Sequence, residues 1–213
     1  MSRRFDAVLF DFGGVFTASP FTAFEDAARE LGAEPGRVLE IVFGPYDADT
    51  DHPWHRLERG EIPFADARAD IMQLGARDGL SLDPLTILAR MGLAGGTREP
   101  LVARTRALRI EGYRTALVTN NAREFRDAWR PVLPLAELFD AVVDSSEVGM
   151  RKPDPGIFHH ARELVGGPPA ERCVFLDDFA GNVAAAQRLG MAAILVGEDP
   201  SPAIAELDQL LAS

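Results

Sequence analysis

Five short apolar runs set the strongest constraint on how this chain can fold. They are residues 5–10 (FDAVLF), 114–119 (RTALVT), 141–144 (AVVD), 173–176 (CVFL) and 192–196 (AAILV). Near-continuous apolar runs of this length suit strands buried on both faces, as in a parallel sheet sandwiched between helix layers. Stretches with helical character separate them: 124–133, 155–165, 180–189 and 201–212. Pro155 opens the second at a position where a missing N–H is harmless, and Gly190 follows the third where a C-terminal glycine belongs. Strands alternating with helices predict an α/β fold with a Rossmann-like, doubly wound parallel sheet.

The alternation fails once. Residues 18–95 offer no convincing strand, but apolar positions fall on one helical face in 21–31, 37–43, 64–74 and 83–91. The expectation is an all-helical cap inserted after the first strand, with Gly95-Gly96 as a hinge at its end. The core is then discontinuous, formed by residues 1–17 and 96–213.

Composition narrows the partners. Lys plus Arg number 22 and Asp plus Glu 33, a net charge of 22 − 33 = −11. A surface that acidic argues against nucleic acid or an anionic membrane as the main partner, though not against a small anion in a locally positive pocket. No apolar run approaches the ~20 residues of a membrane span. Arg3, Arg4 and Asp6 flank only a short apolar stretch, unlike a signal peptide. The single cysteine, Cys173, allows no intrachain disulfide, and a cytoplasmic location is expected.

In open α/β sheets, ligands sit outside the carboxyl ends of the strands. The first strand runs into Asp11-Phe12-Gly13-Gly14-Val15, the second into Thr119-Asn120-Asn121, and the fourth into Asp177-Asp178 with Asn182 beyond; Arg151-Lys152-Pro153 lies in a loop after the third. Three converging aspartates repel: two like charges ~4 Å apart cost about 4 kcal/mol at an effective dielectric near 20. A divalent cation removes that cost, and oxygen-only ligands with retained water favour Mg²⁺. A lysine, a threonine hydroxyl and a helix N-terminus after Asn121 are tools for phosphate. A carboxylate beside metal and phosphate can act as a covalent nucleophile. These residues predict Mg²⁺-assisted phosphoryl transfer. Singly, each has a plainer reading: Asp11 as a turn cap, Asp177-Asp178 as the acidic start of a helix.

The order Asp11, Thr119, Lys152, Asp177-Asp178 resembles the four motifs of the haloacid dehalogenase superfamily over essentially the whole chain. DFGGV, VTNN, RKPDPGIF and FLDDFAGNV look most like the group containing the phosphatase domain of soluble epoxide hydrolase. The resemblance implies a phosphohydrolase acting on a small phosphorylated metabolite through an aspartyl-phosphate. It makes Asp11 the nucleophile and a metal ligand, and Gly13 a ligand through its carbonyl. Thr119 and Asn120 hold phosphate, Lys152 pairs with nucleophile and phosphate, Asp178 is the main metal ligand of the last motif, and Asp177 and Asn182 support it.

One position departs from the pattern. Phosphatases of the superfamily usually carry an aspartate two residues after the nucleophile as general acid, help worth ~10²–10⁴-fold. Here that place is Gly13. Either the leaving group needs little protonation, or another residue acts, with His52 and His55 of the cap as candidates, or turnover is poor. His52, His55 and Arg56 are also the candidates for substrate contacts from the cap. Two other functions stay open. A 2-haloacid dehalogenase uses the same aspartate without metal, but its group lacks the paired aspartates. A non-catalytic phosphate-binding or regulatory member rests on Gly13 alone. No G-x-G-x-x-G follows the first strand, so dinucleotide binding is not expected.

Overall fold

The structure, a computed structural model, describes residues 3–19, 21–92 and 96–212. Gly95, half of the expected hinge, lies outside them. Five parallel strands form one sheet: β1 (Ala7–Phe10), β2 (Arg114–Thr119), β3 (Ala141–Asp144), β4 (Cys173–Asp177) and β5 (Ala192–Leu195), in the order β3-β2-β1-β4-β5. The chain works outward from β1 on one side and then returns to its other side, which makes the end of β1 the point where the order reverses and ligands gather.

The strand runs are apolar throughout because both faces are covered. Val8, Phe10, Leu117, Val174 and Leu176 enter one cluster, and Ala7, Leu9, Ala116, Val118 and Phe175 enter another. Alternation along each strand sends neighbours to opposite layers. Burying a side chain such as Phe10 contributes roughly 1.5–3 kcal/mol.

Helices α1 (Phe21–Leu31), α2 (Pro35–Phe43), α3 (Pro53–Glu58), α4 (Phe64–Arg77) and α5 (Pro84–Gly92) lie in sequence between β1 and β2. They pack around a third cluster that includes Phe24, Ile41, Phe43, Trp54, Leu57 and Ile71; among the described residues, Ala122, just past β2, is its one fully buried member from outside the insertion. Helix α6 (Glu99–Ile110) leads into β2.

The expected helix at 124–133 is broken. A 3₁₀ turn over Arg123–Phe125 precedes α7 (Arg126–Trp129), and a second 3₁₀ turn spans Arg130–Val132. Pro131 has no N–H to donate and its ring crowds the preceding turn, which accounts for the end of α7 at Trp129. Short helices α8 (Leu135–Leu138) and α9 (Ser145–Val148) flank β3, and α10 (Pro155–Leu164), α11 (Ala180–Arg188) and α12 (Ser201–Ala212) complete the alternation. Among the described residues, no helix is long and apolar enough to cross a membrane.

Candidate active site

Register builds the site. Phe10 of β1 pairs with Leu117 of β2 and Leu176 of β4, so the next residues, Asp11 and Asp177, stand level on neighbouring strands. The Asp11 N–H continues the ladder to the Leu176 carbonyl at 2.8 Å. After Asp11 the chain turns tightly, with the Phe16 N–H donating to the Phe12 carbonyl at 2.9 Å. Phe12 and Phe16 anchor this turn in the core against Trp129 and Phe10. Gly14 sits at φ 68°, and a Cβ there would fall 1.8 Å from Asp178 Oδ2. The backbone and the carboxylate therefore approach more closely than any side chain permits.

Lys152 arrives from the loop beyond β3. Asp144 caps α9 by accepting from the Ser146 N–H at 3.0 Å, and Gly149 closes that turn in the left-handed region at φ 71°. Asn120, just past β2, then clamps the loop: its Nδ2 donates to the Lys152 carbonyl at 2.9 Å and its Oδ1 accepts from the Lys152 N–H at 2.8 Å. Lys152 is 1% exposed, and its Nζ lies 2.6 Å from Asp11 Oδ1 and 2.8 Å from Asp177 Oδ2. Asn182 of α11 donates to both Asp177 oxygens, at 3.2 and 3.1 Å, and the Phe179 N–H donates to Oδ1 at 2.8 Å. Asp177 is thus fully engaged within the protein. Asp178 accepts from Ser19 Oγ at 2.9 Å, a contact from the start of the insertion.

Asp11, Asp177 and Asp178 each offer an oxygen within 4.8 Å of the others. One ammonium faces three carboxylates, which leaves the cluster short of positive charge. Burial pushes the Asp11 carboxyl up to about 8, against the pull of Lys152 and with the help of Asp177 and Asp178. Burial and the neighbouring Asp177 push Asp178 up to about 6. Burial works against the Lys152 charge, but Asp11 and Asp177 outweigh it, and its pKa is raised. Hard oxygen donors deficient in positive charge fit a divalent cation such as Mg²⁺.

The other expected residues divide into two groups. Thr119, 2% exposed, ends β2 at the same sheet edge. Both polar atoms of the Asn120 side chain hold the Lys152 loop. The segment after Asn121 begins with a 3₁₀ turn capped by Ala122, not with the expected α-helix N-terminus. The cap candidates are engaged inside the insertion. His52 Nδ1 accepts from the Trp54 N–H at 3.2 Å and so caps α3; His55 Nδ1 accepts from the Thr50 N–H at 3.0 Å. Burial pushes His55 down to about 3, and Arg151 adds to the shift. Arg56 pairs with Glu61 at the surface.

The sequence alone assigns no role to Gly14, Ser19, Tyr46, Glu58 or Arg151. Only Gly14 left a legible signal, a second glycine directly after a strand. Tyr46 is half-buried, with its ring centroid 4.9 Å from that of Phe179, beside Asp178. Burial raises its pKa well above the usual phenol value, with Glu58 adding to the shift, so it stays protonated.

Comparison with known proteins matches residues 5–190 to the family model described as haloacid dehalogenase-like hydrolase. Bifunctional epoxide hydrolase 2 of Mus musculus is 28% identical over 94% of this chain and 38% of its own length. Sesquiterpene phosphatase astK of Aspergillus oryzae is 29% identical over 90% of this chain and 89% of its own length. The chain spans less than two fifths of the longer curated relatives it matches. Among solved structures, an HAD family enzyme from Bacteroides thetaiotaomicron in complex with magnesium and inorganic phosphate aligns with TM-score 0.61 at 21% identity, covering 91% of this chain and 95% of that one. That likeness is one of fold.

Proposed function

The chain belongs to the haloacid dehalogenase-like hydrolases, and from that membership we propose that it is a Mg²⁺-dependent phosphohydrolase of small phosphorylated metabolites. The observation that carries this reading is Lys152 Nζ held between Asp11 and Asp177, in a cluster of three carboxylates whose oxygens lie within 4.8 Å of one another. The phosphatase relatives and the magnesium and phosphate of the Bacteroides neighbour support it. The acidic cluster favours a metal-dependent phosphatase over a metal-independent dehalogenase.

An Asp11 oxygen attacks phosphorus, the bond from phosphorus to the leaving oxygen breaks, and an acyl phosphate forms on Asp11. Water then cleaves that acyl phosphate, releasing phosphate and restoring the carboxylate. Lys152 orients Asp11 and offsets charge on the transferring group, and the Thr119 hydroxyl and the Asn120 backbone face the phosphate oxygens. Asp177, held on both oxygens, keeps Lys152 in place. Asp11, the Gly13 carbonyl and Asp178 would hold Mg²⁺, which when bound supplies positive charge to the phosphoryl oxygens. Residues 18–95 act as the cap and residues 1–17 with 96–213 as the core; the cap excludes water and selects the substrate.

Gly13 offers no acid. The reading therefore favours leaving groups that need little protonation, such as a sugar 1-phosphate or an acyl phosphate. A panel of phosphate esters spanning good and poor leaving groups, assayed with and without Mg²⁺, tests the proposal. Mg²⁺-dependent turnover that disappears in Asp11→Asn is the expected result. Turnover unchanged in that variant, or indifferent to Mg²⁺, overturns the mechanism.

A further inference from the structure

Arg151, next to Lys152 in the chain, is 1% exposed and its side chain runs into the insertion. Its Nε lies 2.7 Å from Glu58 Oε2, its Nη1 donates to the Ala48 carbonyl at 3.1 Å, and Asp49 lies 3.7 Å away. Glu58, at the end of α3, is itself 5% exposed, and its other oxygen accepts from Trp54 Nε1 at 2.8 Å. Other contacts between insertion and sheet domain are of different kinds, among them the rings of Tyr46 and Phe179, the rings of Phe64 and Phe125, the Phe64 N–H on Glu124, Ser19 on Asp178, and Ala122 in the insertion's apolar cluster. Arg151–Glu58 is the fully desolvated ion pair across this boundary among the described residues.

Such a pair adds little net stability, because desolvating both ions offsets their attraction; its strict geometry is what an apolar pair cannot reproduce. We propose that Arg151 and Glu58 are positioning residues. Seating Arg151 on the insertion fixes the backbone whose next side chain, Lys152, must stand between Asp11 and Asp177. The position of the insertion is thereby read out at the Lys152 ammonium one residue away. The consequence for rate rests on the phosphohydrolase reading; the consequence for structure does not.

The test uses the full chain in two variants. Glu58→Gln removes the charge that holds Arg151. Arg151→Met combined with Glu58→Leu removes both charges and leaves no buried ion, so it serves where the single variant does not fold. Hydrogen exchange at the Lys152 N–H, bonded to Asn120 in the wild type, is the primary readout. We expect it to accelerate at least tenfold while β1 and β4 keep their protection. With a phosphate ester as substrate, kcat falls at least tenfold and KM changes less than twofold. Unchanged protection at Lys152 in the double variant overturns the proposal, as does a loss spread evenly through β1 and β4, which marks a merely structural pair. Should the wild type hydrolyse no ester, the function reading fails alone and the exchange data still decide this one.

Discussion

Two adjacent glycines have opposite steric fates at the edge of the site. A Cβ at Gly13 meets nothing within 4 Å and its φ is not positive, so a side chain is accommodated there; at Gly14 it would strike the Asp178 carboxylate. Gly13→Asp should therefore fold, and it should raise kcat/KM for poor leaving groups more than for good ones. The gain is bounded by the ~10²–10⁴-fold that general acid help provides. Equal gains for both classes would mean that protonation of the leaving group does not limit the rate. Gly14→Ala, in contrast, should cost about 1–3 kcal/mol in denaturant unfolding through its left-handed backbone. By displacing Asp178 it should also weaken Mg²⁺ binding at least tenfold in a calorimetric titration; unaltered affinity would remove Asp178 from the ligand set.

At the scale of elements, the insertion carries a titration of its own. His55 is 0% exposed, accepts from Thr50, and has its pKa pushed down to about 3 by burial, with Arg151, His52 and Arg59 adding to the shift. The unfolded chain binds a proton on this residue near 6.5, which the folded protein refuses. Its contribution to stability is therefore fully present above pH 6.5 and is lost as pH falls from there toward 3. At pH 5 the loss is about 2 kcal/mol for this one group. Asp11 and Asp178, raised in the folded state, work in the opposite direction, so the comparison must be between wild type and His55→Gln. The stability difference between the two, measured in urea at pH 7 and pH 5, should move in favour of the variant at pH 5. No change between the two pH values would mean that His55 is protonated in the folded protein.

For the whole molecule, the metal-free protein carries the repulsion of three clustered carboxylates against one lysine. Ligand binding to the folded state alone stabilises it, by about 2.7 kcal/mol at a hundredfold excess over Kd. Mg²⁺ should accordingly raise the Tm of the wild type, and Asp178→Asn should abolish most of that rise. An equal rise in both would show that Mg²⁺ acts elsewhere on this acidic surface. The same balance explains why the sheet can tolerate such a site: the strands beneath it are apolar on both faces, and Phe10, one residue before Asp11, is fully buried. Phe10→Ala should cost about 3–5 kcal/mol of unfolding free energy, far more than any change among the surface ion pairs.

The parallel α/β core is legible from residue types alone, because strands buried on both faces must be apolar at consecutive positions. The helical nature of the inserted block and the order Asp11, Thr119, Lys152, Asp177-Asp178 are legible as well, since residue type and spacing are local properties. Strand β2, strand β3 and helices α1 and α12 have the expected bounds. The break at Pro131 was legible too, as a proline inside a helical pattern, but the apolar spacing around it pointed the other way. Which residues face one another emerges only from the packed fold. Register brings Asp11 level with Asp177 across a long gap in sequence, and the Asn120 clamp commits a residue expected at the phosphate to the Lys152 loop. His52 and His55 turn out to cap and brace the insertion, and Arg151 finds Glu58 across the boundary. None of these pairings is encoded in local propensity, because each depends on desolvation and distance between segments that only the packed sheet and insertion bring together.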